Sequence, residues 1–93
     1  MRRCSKITIQ GKVQGVSFRE FVQKKAEKFN IEGTVQNSHN DIVIINACGM
    51  AENIDDFIDA LYSGPPKSKV EKISEEPLSN KPEFRGVFRI IGQ

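Results

Sequence analysis

The sequence is poor in the features that would direct its reading at once. Its longest unbroken apolar run is the four residues IVII at 42–45, so no segment spans a membrane. The basic N-terminus MRRCSKITIQ is not followed by an apolar stretch. No signal peptide is read, and the expected compartment is the cytoplasm. There is one histidine, His39, and there are two cysteines, Cys4 and Cys48. They form no CxxC or HxxxH spacing, so no metal site and no cofactor is expected. The formal net charge is only +2, too little to argue for a nucleic-acid partner by itself. There is no internal repeat and no low-complexity tract.

What is present suits a soluble globular chain. Hydrophobic residues make up 38% and charged residues 28% of 93 residues. That length holds one two-layer core and is too short for two, so residues 1–93 are read as a single domain. SKITIQGKV alternates, with Ile7, Ile9 and Val13 on one face and Lys6, Thr8, Gln10 and Lys12 on the other: a strand with one buried side. From Phe18 the period changes. Phe18, Phe21, Val22, Ala26 and Phe29 form a helical stripe, Lys24, Lys25, Glu27 and Lys28 face water, and Asn30 ends the helix. GTVQN (33–37) and IVIINACG (42–49) flank the turn residues SHND and form a hairpin. A second helix carries Ile54, Phe57, Ile58 and Leu61 on its apolar stripe, has an acidic outer face, and stops at GPP (64–66). KVEKI (69–73) is a fourth strand, SEEPLSNKPE (74–83) a loop, and GVFRII (86–91) a short last strand. The order βαββαβ, with a small extra strand, predicts an α+β fold: a ferredoxin-like two-layer sandwich with a mainly antiparallel sheet of order 4-1-3-2 and both helices on one face.

One stretch asks for chemistry. GKVQGVSFRE (11–20) lies where the first strand hands over to the first helix. The opening N–H groups of a helix lack intrahelical acceptors, and that end carries partial positive charge. A glycine there takes backbone angles that turn several amides onto one anion. Arg19 adds a planar charged fork that suits phosphate. The GK[ST] ending of a Walker A loop is absent. On these residues alone a plainer reading stands beside the phosphate cradle: Gly11 and Gly15 shape a turn, and Arg19 is a solvated helix residue.

GKVQGVSFREFVQKKAEKFNIEGTVQN resembles the acylphosphatase signature, G-x-V-Q-G-V-x-F-R followed by a helix and G-x-V-x-N. SGPPKSKVEKI resembles the family's G-P-x-x-x-x-V segment. The resemblance runs from Lys6 to Ile90 and implies the same ferredoxin-like fold. It implies hydrolysis of acyl phosphates to a carboxylate and inorganic phosphate. The phosphate loop would be Gln14, Gly15, Val16, Ser17, Phe18 and Arg19. Arg19 and Asn37 would be the catalytic pair, the arginine on the phosphoryl group and the asparagine on the attacking water. An acyl phosphate already carries a good leaving group, so no strong general acid is required; holding, neutralising and aligning suffice. Three positions depart from the pattern: Ser17 replaces a frequent glycine, Asn40-Asp41 replaces the usual D-G turn, and Thr34 stands where an aromatic residue is common.

Other residues carry weaker signals. His39 lies in the turn past Asn37 without a partner of the kind catalytic histidines use. Cys4 and Cys48 fall by parity on the open face of adjacent antiparallel strands, close enough to bridge, and form a candidate disulfide pair; a cytosolic setting would keep them reduced. The alternative function is a non-catalytic binding module for phosphate, another anion or RNA. RNA-recognition domains share the topology, and FRGVFRI (84–90) has a faint likeness to one of their motifs. The open face, with Lys6, Thr8, Gln10, Ile42, Ile44 and Asn46, lacks paired aromatics for stacking bases. A monomer acting on a small-molecule acyl phosphate, with no nucleic acid and no membrane, is therefore the expectation. A free-standing domain is a simpler expectation than a fragment of a larger acyl-transfer protein. No motif encodes which acyl phosphate is the physiological one.

Overall fold

A computed structural model describes residues 1–15, 17–79 and 83–92. Seven elements follow in the order β1 (Arg2–Lys12), α1 (Phe18–Lys28), β2 (Glu32–Asn37), β3 (Ile42–Met50), α2 (Ala51–Leu61), β4 (Lys69–Pro77) and β5 (Phe88–Ile90). The five strands form one sheet of order β4-β1-β3-β2-β5. All pairings are antiparallel except that of β5 with β2, which is parallel.

The alternation in the sequence decides which face is covered. Ile7, Ile9, Val35, Val43, Ile45 and Ala47 are fully buried and share one core with Val22, Ala26, Ile54, Phe57 and Leu61 from the helices. Burying a large apolar side chain such as Phe57 contributes roughly 1.5–3 kcal/mol. The aromatic stripe of α1 is divided. Phe18 is buried, whereas Phe21 and Phe29 are half-buried beneath Lys25 and Lys28, whose ammonium groups sit 5.5 and 5.4 Å from the ring centres.

One region differs from the sequence-based expectation. Residues 74–77, expected in a loop, continue β4 as far as Pro77, pairing with Ser5–Thr8 of β1. An edge strand whose side chains are Ser74, Glu75 and Glu76 has no apolar face, so its pairing leaves no period in the sequence. The rest of that expected loop includes residues 80–82, which lie outside the described residues. The acidic face of α2 is exposed, as its composition predicts, and Asp55 Oδ1 on it accepts from Arg3 Nη2 at 2.7 Å. FRGVFRI supplies the sheet edge, and Phe88 is buried edge-on against Phe57, so it offers no ring for stacking a base.

At the end of the sheet where β1 begins, Cys4 stands directly opposite Cys48 and the two are joined by a disulfide. Nearby, Arg3 bridges Asp55 and Glu75, and Ser5 Oγ donates to Glu75. Arg2 pairs with Glu32, which also accepts from the Gly86 N–H. No helix among the described residues is long and apolar enough to cross a membrane.

Candidate active site

The opposite end of the sheet gathers the loop after β1, the start of α1, the β2–β3 hairpin and the segment after α2. The two glycines of GKVQGVSFRE do different work there. Gly11 lies at φ 141° beside a β-bulge, where an added Cβ would meet the Lys69 carbonyl oxygen at 2.1 Å. It is bare because β4 passes against it. Gly15, at φ 71°, faces open space: apart from its chain neighbours, no atom of the described residues lies within 4 Å of such a Cβ. It turns the chain into a cavity rather than around a neighbour.

Ser17 follows as the N-cap of α1 in the left-handed conformation, φ 61° and ψ 27°, and its hydroxyl makes no capping bond. That geometry explains why glycine is frequent at this position: a side chain there costs about 1 kcal/mol. The first helical bond is Phe21 N–H to the Ser17 carbonyl, at 3.1 Å. The amides of Phe18, Arg19 and Glu20 precede it and have no acceptor within the helix.

A cavity of about 110 Å³ lies at this end of the helix, and Gly15, Ser17, Phe18, Arg19, Glu20 and Asn37 line it. Arg19 and Asn37 thus meet across one small space, one from the first turn of α1 and the other from the last residue of β2. Arg19 Nη1 donates to the Ile91 carbonyl at 3.4 Å, which draws the guanidinium toward the end of β5. Among the described residues no carboxylate lies within ion-pair distance of it.

The other residues of the expected phosphate loop divide. Phe18 lines the cavity but its ring is buried in the core. Gln14 turns its side chain away: Nε2 donates to the carbonyls of Ser38 and Ile42 at 2.5 and 3.0 Å. Those carbonyls flank the hairpin tip, so Gln14 ties the loop after β1 to the strand end that carries Asn37. Val16 lies outside the described residues. Asn40 and Asp41 both adopt positive φ, 60° and 58°, a conformation that Asn and Asp tolerate better than most residues. The hairpin closes at its tip, where Ser38 N–H reaches the Ile42 carbonyl at 2.7 Å. His39 is exposed at this tip, away from the cavity lining. Thr34 sits mid-strand opposite Asn46, also outside that lining.

A larger cavity, about 540 Å³, lies at the far end of β2, lined by Glu27, Asn30, Glu32 and Gly86 among others. Its charged groups are carboxylates, which repel a phosphoryl group, and size does not make it the site. No cluster of three or more metal-ligating side chains occurs among the described residues.

Comparison with known proteins points the same way as this geometry. The family model described as Acylphosphatase matches residues 5–90. The acylphosphatase of Vibrio parahaemolyticus is 38% identical over 89 residues, covering 96% of this chain and 97% of that protein. The crystal structure of acylphosphatase from Bacillus subtilis superposes with a TM-score of 0.91 at 35% identity, covering 99% of this chain and all of that one. Full-length HypF, solved in a phosphate- and nucleotide-bound form, contains a similar unit: TM-score 0.88, 33% identity, 99% of this chain but 12% of that one. With the fold, the loop and nearly the full length in agreement, this chain belongs to the acylphosphatase family.

Proposed function

We propose that this protein hydrolyses acyl phosphates to a carboxylate and inorganic phosphate at the cavity between α1 and the β2–β3 hairpin. The observation that carries the reading is the meeting of Arg19, Asn37 and an uncapped helix N-terminus in one small space. The phosphoryl oxygens rest on the amides of the 15–19 loop and on the Arg19 fork, where helix dipole and guanidinium offset their charge. Asn37 presents its side-chain amide to the attacking water; an amide oxygen accepts a water hydrogen and so aims a lone pair at phosphorus. The bond from phosphorus to water forms as the bond to the acyl oxygen breaks. The leaving carboxylate departs without a proton because its acid is ionised near neutral pH. Gln14 acts indirectly, holding loop and hairpin in register.

In this reading the working unit is one copy of the domain over residues 1–93, acting in the cytoplasm on a small-molecule acyl phosphate. The chemistry assigns no step to a metal ion. Arg19 supplies the charge, and positioning supplies most of the rate.

The test is hydrolysis of benzoyl phosphate by purified protein without added metal, beside Arg19→Ala and Asn37→Ala. The expected result is turnover by the wild type and near-complete loss in both variants with the fold intact by circular dichroism. An inactive wild type that still binds phosphate at the loop would instead make this a binding module.

A further inference from the structure

A second cavity, about 390 Å³, adjoins the first, and Gly15, Ser17, Pro65, Pro66 and Lys67 line it. Gly15 and Ser17 belong to both spaces, whereas Arg19 and Asn37 line only the first. The outer wall is a fixed turn. The Ser68 hydroxyl and N–H both donate to the Pro65 carbonyl, at 2.7 and 3.0 Å, and two consecutive prolines restrict the backbone further.

In-line displacement sets the attacking water and the departing oxygen on opposite sides of phosphorus. If Asn37 holds the water, the acyl group leaves on the side away from Asn37. Among the described residues, the second cavity touches the loop and not the asparagine. Its proline faces give a rigid apolar surface for the body of an acyl group. Lys67 closes it with an exposed ammonium, and among the described residues no carboxylate pairs with that ammonium. Lys12 and Lys69, opposite one another where β1 and β4 meet at this end, add to the positive field.

We infer that the Pro65–Pro66–Lys67 turn is the acyl subsite and that it favours acyl phosphates whose acyl group carries a carboxylate at its far end. This rests on the acyl phosphate reading of the neighbouring cavity and deepens it from a reaction type to a substrate class.

The test compares kcat/KM for 4-carboxybenzoyl phosphate and benzoyl phosphate, which differ only in the distal charge. The readout is the ratio of the two constants in each variant, so intrinsic reactivity cancels. Lys67→Ala should lower the ratio about two- to fivefold, the range of one exposed ion pair. Lys67→Glu should lower it about tenfold, and about 0.5 M salt should shrink both effects. Turnover of both substrates with a ratio unmoved by Lys67→Glu would overturn this inference while leaving the hydrolase reading intact. Failure of the wild type to turn over either substrate would overturn the hydrolase reading and this inference with it.

Discussion

The two ends of the sheet treat arginine differently. Where β1 begins, Arg2 lies 2.6 Å from Glu32, and Arg3 lies 2.7 Å from Asp55 and 3.1 Å from Glu75. The hydrogen bond to Asp55 comes first among the causes that raise the Arg3 pKa, outweighing the cost of burial. Where β1 ends, Arg19 meets only a distant backbone carbonyl among the described residues. The first end uses its charges to fasten strands to one another and to α2, beside the Cys4–Cys48 bond. The second leaves a cation and a helix N-terminus at a cavity. Charge already paired within the fold has little left for a ligand, and this contrast supports the proposed site better than cavity size does.

The contrast is broken most directly at Arg19. Arg19→Ala should reduce kcat/KM by about 10³-fold or more, the scale on which a phosphoryl-stabilising arginine acts. Arg19→Lys should recover little of it, because a point charge lacks the planar fork. Asn37→Ala should cost about 10²–10³-fold, as for other single groups that organise a transition state. Both are read from steady-state kinetics on protein whose thermal unfolding is unchanged.

At the far end the effects fall on stability. Replacing Cys4 and Cys48 together by alanine opens a loop of sequence separation 44, and the variant should unfold about 2–4 kcal/mol more easily in urea. Turnover per folded molecule should stay the same, since neither cysteine approaches the cavity. Equal stability of the oxidised wild type and the double variant would remove the disulfide from this account.

The smallest effect belongs to Glu32. Burial raises its carboxyl, but the hydrogen bond from Arg2 and the N–H of Gly86 more than offset this and hold it below its ordinary value of 4.5. Its contribution is thus complete above that value and is lost as pH falls through the lowered one, where the unfolded chain binds the extra proton. Between about pH 6 and pH 3 the unfolding free energy from urea titrations should drop further for the wild type than for Glu32→Gln, by under about 1 kcal/mol. Parallel profiles would show the clip between β2 and Gly86 to be idle.

How much could be read in advance depended on where each signal is stored. The buried stripes of α1, α2, β1 and β3 repeat at the period of their element, so Ile7, Ile9, Val22 and Phe57 declare themselves. The second half of β4 does not, because Glu75 and Glu76 at an edge have no core to face. The three residues of β5 are placed by long-range partners: Gly33 N–H bonds the Val87 carbonyl, Ile91 N–H bonds the Val35 carbonyl, and Gln23 Nε2 donates to the Phe88 carbonyl. The site divides in the same way. Gly15 and Arg19 suggest an anion by local chemistry alone, while Asn37 needed the likeness to a family to stand out from other strand-end asparagines. The task of Gln14 was not legible, because its acceptors are backbone carbonyls that any residue at 38 and 42 would supply. The Pro65–Lys67 wall reads only as a helix stop until the fold brings it beside Gly15.

The central claim is that the loop end of the sheet holds a phosphoryl group and the far end does not. Titration of the ¹⁵N-labelled protein with inorganic phosphate, followed amide by amide, tests it most directly. The account predicts saturable shifts at Gly15, Ser17, Phe18 and Arg19, with smaller ones at Asn37, and their loss in Arg19→Ala. Shifts centred instead on Glu32, Gly86 and Phe88, or shifts at the loop that survive removal of the arginine, would contradict it.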